Sequence, residues 1–191
     1  MNAQKDTKVE ILDLAENLLR DRGFNAFSYA NISSVLKIKN AAIHYYFPGK
    51  ADLGVAVIQR ARERFANWAQ DQTIVSKTPA EKLEAFFRRY LKFLEAGKQV
   101  CLGGALETDF KTLPSTMQVE TQKFASEILA WIEEVLVDGQ EKRVLNFPGK
   151  AKDQAILILS CLQGALQMTR AVGPTCLHLA MAQIRRLTSK S

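Results

Sequence analysis

The segment from Phe27 to Lys50 constrains the fold more than any other part of the chain. Ser28 is a good helix N-cap, because its hydroxyl can accept a hydrogen bond from a free N–H of the first helical turn. Apolar residues then recur at helical spacing, at Tyr29, Ile32, Val35 and Leu36. Residues 37–39 interrupt this period, and a second short helix begins near Asn40 and ends at Pro48-Gly49. Two compact helices about a short turn indicate a helix-turn-helix unit, whose second helix can enter a DNA major groove.

The charge pattern of this segment favours an acidic partner. No acidic residue lies between Asp21 and Asp52, whereas the cations Arg22, Lys37, Lys39 and Lys50 are present. A surface that approaches phosphates has this composition, because carboxylates there would repel them. The net charge of +6 and the isoelectric point near 9.3 point in the same direction. The alternative is a solvated basic face without a partner.

The second short helix carries the side chains that we expect to face the groove. Its polar or semi-polar members are Lys39, Asn40, His44 and Tyr45. Asn can pair with adenine through two hydrogen bonds, and neutral His or Tyr can hydrogen-bond to a base edge or to a phosphate. Lys50 begins the next helix, where its ammonium and the free backbone N–H groups can together hold one phosphate.

The rest of the chain follows helical patterns, so the predicted fold is all-α. A capping box at Thr7–Glu10 opens the first helix, and Gly23 ends it. Pro79, with Thr78 as its cap, opens another helix, and Asp138-Gly139 ends a later one. The further helices are predicted over about 50–70, 79–96, 101–110, 114–137 and 155–168, with a last one from 174 onward.

Composition and motifs argue against several classes of protein. Apolar content of 47% and charged content of 24% are ordinary for a soluble globular chain. Residues 1–8 lack an apolar signal segment, and the longest apolar runs are about half a bilayer-spanning helix, so we expect a cytoplasmic protein without a membrane partner. The three cysteines form no CxxC pair and indicate reduced thiols, and we expect no metal or cofactor. GxSxG, HExxH and phosphate-loop motifs are missing, which argues against an enzyme.

The segment 155–168, AILILSCLQGALQM, is apolar almost all round, which a solvent-exposed helix cannot be. Gly164 and Ala165 are small enough for another helix to approach closely. We predict that this helix and the last one pack against their own copies as a four-helix bundle in a homodimer. A charge at Leu162 would then disrupt that bundle. The alternative is a central helix in the core of a monomer.

Aromatic side chains are concentrated in the middle helices. They predict a pocket for a small-molecule effector, because pockets in helical bundles are mostly apolar, and their alternative role is core packing. Cys101 is included because free N–H groups at a helix start stabilise the reactive thiolate, whereas a buried free cysteine is usually a packing residue. The predicted lining is Phe86, Phe87, Tyr90, Phe93, Cys101, Phe110, Phe124 and Trp131.

Three short motifs resemble one family. Gly23-Phe24, FSYANIS from Phe27 and AAIHYYFPGKADL from Ala41 are similar to the N-terminal domain of TetR/AcrR-type transcriptional regulators. The resemblance implies a helix-turn-helix over residues 28–47 in a dimeric protein. Three positions depart from the family, which often has a glycine, a lysine and a hydroxyl residue there: Lys37, Asn40 and Ala42. The DNA contacts predicted from the residues and the resemblance together are Ser28, Lys39, Asn40, Ala41, Ala42, His44, Tyr45, Tyr46 and Lys50.

The resemblance also suggests what such a regulator responds to. In a branch of the family that senses electrophiles and oxidants, a cysteine precedes a small-residue helix at the place of Cys101. A cation in a later helix of that branch matches Arg170. Cys101 is therefore a candidate redox-sensing residue.

The expected architecture has two domains. Residues 5–65 form a three-helix DNA-binding domain of the helix-turn-helix type, and residues 66–191 form a helical domain for effector binding and dimerisation. The expected function is a dimeric repressor that leaves a palindromic operator in double-stranded DNA when it meets a small molecule, an electrophile or an oxidant. The alternatives are a helical structural adaptor without sequence-specific DNA binding and a small enzyme.

Overall fold

The computed structural model describes residues 6–75, 78–97 and 100–189, so the outer limits predicted for the two domains, residues 5 and 191, lie outside the described residues. The described residues form α-helices and no β-strand, which confirms the all-α prediction. The helices are α1 Thr7–Arg22, α2 Tyr29–Leu36, α3 Asn40–Tyr46, α4 Lys50–Ile74, α5 Pro79–Glu95, α6 Leu102–Asp109, α7 Ser115–Glu141, α8 Ala151–Val172 and α9 Thr175–Thr188. A 3₁₀ turn, Phe110–Thr112, follows α6.

Two helix starts test the predicted caps. At α1 the carboxylate of Asp6 accepts the N–H of Lys8 at 2.9 Å, so the predicted capping box at Thr7–Glu10 is wrong and Thr7 is already helical. Asp is a strong N-cap, and its negative charge also interacts favourably with the helix dipole. At α5 the prediction is confirmed: the N–H of Thr78 donates to Glu81 Oε2 at 2.8 Å in a capping box.

Helices α7 and α8 are longer than the sequence pattern predicts. α7 continues through Gly139 to Glu141, so the predicted stop at Asp138-Gly139 is wrong. A Cβ at Gly139 would collide with the side chain of Leu145, so this glycine permits close packing inside a helix. α8 begins at Ala151, before the apolar run, and its first turn carries the exposed polar residues Lys152 and Asp153, so the apolar pattern does not reveal it.

The chain divides into two compact units, and residues of α4 and of α7 belong to both. The first unit contains the chain up to Glu63 together with Leu102–Phe124. In this unit α1 packs against α2, α3 and α6. Its buried core includes Ile11, Leu19, Phe24, Ile32, Ile43, Leu53, Leu106 and Met117. The helix-turn-helix therefore rests on α1, as predicted, and α6 joins the same core.

The second unit contains Arg64–Cys101 and Ala125–Ser191. Within it α8 packs extensively against α9, and α5 packs against α8. The guanidinium of Arg185 on α9 donates two hydrogen bonds, of 2.5 and 2.8 Å, to the carboxylate of Glu84 on α5. This bidentate pair connects the last helix to α5.

Helix α8 has one buried and one exposed apolar face. Ile158, Leu162 and Leu166 are buried within the second unit, whereas the exposed large residues of α8 are Ile156, Leu157, Met168 and Val172. Leu162 has no exposed area in a single chain, so a charge there would disrupt the core of the second unit itself and cannot distinguish a dimer from a monomer. By length and composition alone α8 could cross a membrane, with a mean hydropathy of 1.4 over 18 residues. Counting only uninterrupted apolar runs therefore underestimates the length of this apolar helix. Core helices of soluble proteins can be equally long and apolar.

Candidate nucleic-acid interface

Helix α2, the turn after it and α3 form the predicted helix-turn-helix. α2 is capped at Ser28, whose N–H donates to Asn31 Oδ1 at 2.8 Å. α2 is capped at its C-terminus by Lys37, which has left-handed backbone angles (φ 56°, ψ 39°) and donates its N–H to the carbonyl of Ser33. This conformation costs a residue with a Cβ about 1 kcal/mol. α3 then begins at Asn40, as predicted.

Four residues of α3 lie on one exposed face, which we call the reading face: Asn40, Ala41, His44 and Tyr45. Spacings of one, four and five residues place them together, because four residues make just over one helical turn. Ile43 lies on the opposite side and is completely buried. Tyr45 is 82% exposed, an unusual position for an aromatic side chain that lacks a partner molecule. The reading face carries hydrogen-bonding groups and a methyl group, and it has no formal charge when the imidazole of His44 is neutral.

Cations flank the reading face. Lys37 and Lys39 are exposed, and neither makes an ion pair within the part of the chain that the structure describes. Arg22 differs, because its guanidinium is 3.1 Å from the carboxylate of Asp21. The two lysines are therefore available to neutralise phosphates beside a groove that α3 enters.

The other predicted contacts surround this face. Ser28 is exposed at the start of α2, and Ala42 is half-buried in α3. Tyr46 is partly exposed, and its ring packs edge-on against Tyr45 with centroids 5.1 Å apart. All nine predicted residues lie in the first unit: eight belong to the helix-turn-helix, and the ninth, Lys50, begins α4.

Tyr29 and His44 hold α3 against α2. The hydroxyl of Tyr29 donates to the carbonyl of Phe47 at 2.8 Å. Burial, assisted by the charge of Asp52, raises the pKa of Tyr29 to about 12, so the hydroxyl remains a donor at physiological pH. The ring of His44 packs edge-on against Tyr29 with centroids 4.8 Å apart, and its Nδ1 lies 3.1 Å from the carbonyl oxygen of Pro48. These contacts fix the C-terminal end of the reading helix.

Lys50 occupies a defined position at the first turn of α4. Its Nζ lies 4.4 Å from the ring centroid of Phe24 and 4.5 Å from that of Phe27. A cation over aromatic faces is attracted by the ring quadrupoles. Desolvation by burial lowers the pKa of Lys50, and a phosphate oxygen would supply the negative partner that the rings only partly replace. The two rings therefore hold the ammonium of the first residue of α4 in a defined position.

The loop between α1 and α2 is held by the end of α6, a contact that we call the α6 dock. Phe24 donates its N–H to Asp109 Oδ2 at 2.7 Å, and Asn25 donates its amide N–H to Thr112 Oγ1 at 2.7 Å. Gly23 has a positive φ of 81°, and a Cβ there would lie 2.5 Å from Asp109 Oδ2. Only glycine fits both the backbone conformation and the carboxylate.

A second connection within the first unit joins α4 to α7. The carboxylate of Glu120 accepts hydrogen bonds from Lys123, at 2.7 Å, and from the guanidinium of Arg62. These bonds, with that of Lys123 the larger cause, hold the pKa of Glu120 below its ordinary value despite its burial. Neither this cluster nor the α6 dock followed from sequence reasoning, since the partners are 58 and 85 residues apart.

Four of the eight predicted effector residues pack together, and the other four lie elsewhere. Phe86, Tyr90 and Trp131 form an aromatic cluster in the second unit, with Phe86 and Trp131 centroids 5.6 Å apart. Trp68, which sequence reasoning omitted, packs 4.9 Å from Trp131. Phe93 extends the cluster through Tyr90. The rings fill the space between one another, as in an aromatic core.

The remaining predicted effector residues lie elsewhere. Phe87 packs under the guanidinium of Arg185, 5.3 Å from its centroid. Phe110 and Phe124 belong to the first unit. Cys101 immediately precedes α6, as predicted, and is only 7% exposed.

Comparisons with known proteins agree with this geometry. The family profile described as "Bacterial regulatory proteins, tetR family" matches residues 11–57, which include most of α1, all of α2 and α3, and the start of α4. A TetR transcriptional regulator from Legionella pneumophila is 33% identical, over 99% of this chain and 100% of that one, with a TM-score of 0.88. A TetR family regulator from Agrobacterium tumefaciens is 26% identical, over 95% and 97%, with a TM-score of 0.89. The HTH-type transcriptional repressor NemR of Escherichia coli K12 is 23% identical over 97% of this chain and 96% of its own length.

The fold and the reading face define a helix-turn-helix regulator that binds DNA. With relatives that match over nearly its whole length, the chain belongs to the TetR family of transcriptional regulators. The resemblance inferred from Gly23-Phe24 and the AAIHYYFPGK motif is thereby confirmed.

Proposed function

We propose that this protein is a homodimeric transcriptional repressor that binds a palindromic operator and leaves it in response to a small molecule, an electrophile or an oxidant. The observation that carries the proposal is the reading face, a helix surface without Lys, Arg, Asp or Glu, flanked by Lys37 and Lys39, which make no ion pair with any residue that the structure describes. Such a surface places base-reading groups at the centre and phosphate-binding groups at the edge. Similarity to NemR supports the repressor class.

The exposed apolar face of α8 supports a second copy of the chain as the partner. Leu157 and Met168 on α8 and Leu179 on α9 are exposed in the single chain, and α8 and α9 pack side by side. A Cβ at Gly164 would meet nothing within 4 Å, so space for a neighbouring helix is available there. A four-helix bundle made of two α8–α9 pairs would cover this face, and its two-fold symmetry would match a palindrome.

The dimer is tested by a charge on the exposed face. Met168→Glu should lower the sedimentation coefficient of the protein to that of a monomer at micromolar concentration, because it would bury an unpaired carboxylate. Gln140→Glu, on an exposed position of α7 outside the proposed interface, is a matched control for added charge. Wild-type protein that sediments as a monomer would contradict the proposal.

DNA recognition is tested by selecting binding sites from a random duplex library. We expect an enriched palindrome whose half-sites are about one helical turn apart. Lys39→Ala should weaken binding to all duplexes alike and reduce the salt-dependence slope by about one unit per protomer, as expected for a lost phosphate contact. Lys152→Ala, on an exposed lysine of the second unit, is the control. Selection without an enriched sequence would favour the structural adaptor.

We propose that the effector acts on the second unit and on α4 and α7, the helices that this unit shares with the first. The aromatic cluster offers apolar rings, and Arg89 lies over it, with its guanidinium 4.5 Å from the centroid of Trp68. An aromatic or apolar molecule could enter only by displacing a ring, because the rings are packed against one another. Cys101 is the alternative sensor and adjoins α6, whose end forms the α6 dock. As a family of soluble regulators suggests, we place the protein in the cytoplasm.

A further inference from the structure

The hydrogen bond of His44 determines what its other ring nitrogen can do. Nδ1 lies 3.1 Å from the carbonyl oxygen of Pro48, and a carbonyl oxygen only accepts. Nδ1 must therefore carry the hydrogen and donate it. In a neutral imidazole the second nitrogen is then unprotonated, so Nε2 is an acceptor.

The surroundings of His44 hold this acceptor in position. The ring packs edge-on against Tyr29, with an interplanar angle of 69°, and Tyr29 is itself fixed by its bond to Phe47. His44 is exposed on the reading face, and Nε2 has no hydrogen-bond partner among the described residues. An oriented acceptor at the centre of a groove-facing surface is suited to reading a base donor.

In the major groove, donors come only from the exocyclic amino groups, N6 of adenine and N4 of cytosine. Guanine presents N7 and O6, both acceptors, and a phosphate presents only acceptor oxygens. An acceptor that faces another acceptor loses its water without gaining a hydrogen bond. Nε2 should therefore favour adenine or cytosine and disfavour guanine and phosphate.

We infer that His44 reads the exocyclic amino group of one adenine or cytosine in each half-site, and is not a phosphate contact. This inference rests on the proposed function, since it needs an operator. It distinguishes His44 from Lys39 at the start of the same helix, whose ammonium can only donate. It also agrees with α3 itself, which has neither Lys nor Arg between Asn40 and Tyr46 to read guanine in the usual way.

The test combines base analogues with a protein variant. In the selected operator, each adenine is replaced in turn by purine, which lacks the N6 amino group, and each cytosine by a pyrimidinone, which lacks N4. His44→Asn keeps an amide nitrogen at the place of Nδ1, so it can retain the bond to Pro48 while removing Nε2. Binding of full-length wild type and variant to each duplex is measured, with the thermal unfolding of both as the control for folding.

We expect one position per half-site at which removal of the amino group weakens the wild type about fivefold, the value of one hydrogen bond, and does not weaken His44→Asn further. Whether that position is an adenine or a cytosine identifies the base. If no analogue distinguishes wild type from variant, or if His44→Asn weakens binding to all sequences alike, the inference is overturned. Failure of the selection to return any palindrome would instead overturn the proposed function.

His44→Gln provides a second measurement. Its side chain can place an amide at the position of Nε2, with both a donor and an acceptor. We expect the variant to keep part of the preference for the amino group and to tolerate guanine at the same position better than wild type does. Unchanged discrimination against guanine would contradict the acceptor role.

Discussion

Replacing Asp109 by alanine should separate DNA affinity from DNA sequence preference. The carboxylate accepts the N–H of Phe24 at 2.7 Å in a part-buried site, and no other acceptor of that N–H is found in the described residues. Hydrogen bonds to charged groups contribute about 2 kcal/mol, so Asp109→Ala should lower the free energy of unfolding by about this amount. For a chain of this size that corresponds to a decrease in Tm of roughly 6 °C.

The effect on DNA binding follows from what Phe24 contacts. Its ring lies under the ammonium of Lys50, 4.4 Å away, so a displaced Phe24 would release the cation from its position. A cation–π contact of this kind contributes about 0.7 kcal/mol, so the two protomers of the proposed dimer would together lose about 1.4 kcal/mol. We expect about tenfold weaker binding to every duplex, measured by fluorescence anisotropy, with an unchanged selected sequence.

Two further variants make the result interpretable. Asp109→Asn keeps an acceptor oxygen without the charge. It should lower the free energy of unfolding by about half as much as Asp109→Ala does. Glu134→Ala removes an exposed carboxylate from α7 and should change neither quantity. If Asp109→Ala and Glu134→Ala show the same Tm and the same affinity, the α6 dock does not support the DNA-binding unit and the reasoning fails.

Three other outcomes are expected. Lys37→Gly should raise the free energy of unfolding by about 0.5 kcal/mol in urea, because glycine adopts the left-handed conformation without strain, and a lower value would contradict the strain argument. Glu120→Gln should destabilise the protein above pH 4.5, the ordinary pKa of the group, because a depressed folded-state pKa stabilises the fold there. The difference in the free energy of unfolding between wild type and Glu120→Gln should disappear as the pH falls and wild-type Glu120 is protonated. A difference that persists in acid would contradict this prediction. Treatment with a quinone should release wild type from DNA but not Cys101→Ser. Equal release from both would show that Cys101 is not the sensor and would favour the aromatic cluster as the effector site.

Local patterns predicted most of the secondary structure because the relevant interactions are local. The start of α3 at Asn40, the cap at Thr78 and the helix after Pro79 each depend on residues within one helical turn. The errors have the same origin. Thr7 and Asp6 are both good caps in adjacent positions, and only the bond to Lys8 decides between them. Gly139 resembles a helix end until its packing against Leu145 is known.

The candidate site was predictable in its exposed residues but not in its support. Asn40, His44 and Tyr45 follow from helical spacing around the buried Ile43. The bond from Phe24 to Asp109 has no sequence signature, because a single Asp in α6 could face any neighbour. The acceptor role of His44 was likewise unpredictable, since it depends on the position of the Pro48 carbonyl. Burial of Leu162 by its own unit also required the packing of α8.

From the proposed DNA contacts we expect affinity and sequence preference to depend on different parts of the first unit. The ammonium of Lys50, the proposed phosphate anchor, lies over the ring of Phe24, and the N–H of Phe24 donates to Asp109 at the end of α6. The orientation of His44 depends instead on Tyr29 and on the carbonyl of Pro48, and neither contact involves α6.

A signal that displaces α6 should therefore weaken phosphate contacts while leaving base reading unchanged. Binding-site selection on partly released protein, at an effector concentration that halves occupancy, should return the same palindrome as selection without effector. The salt-dependence slope should decrease, because fewer counterions are released for each complex that forms. An altered consensus sequence at an unchanged slope would show that the signal reaches α3 by another route, and the separation argued from Asp109 and Tyr29 would be wrong.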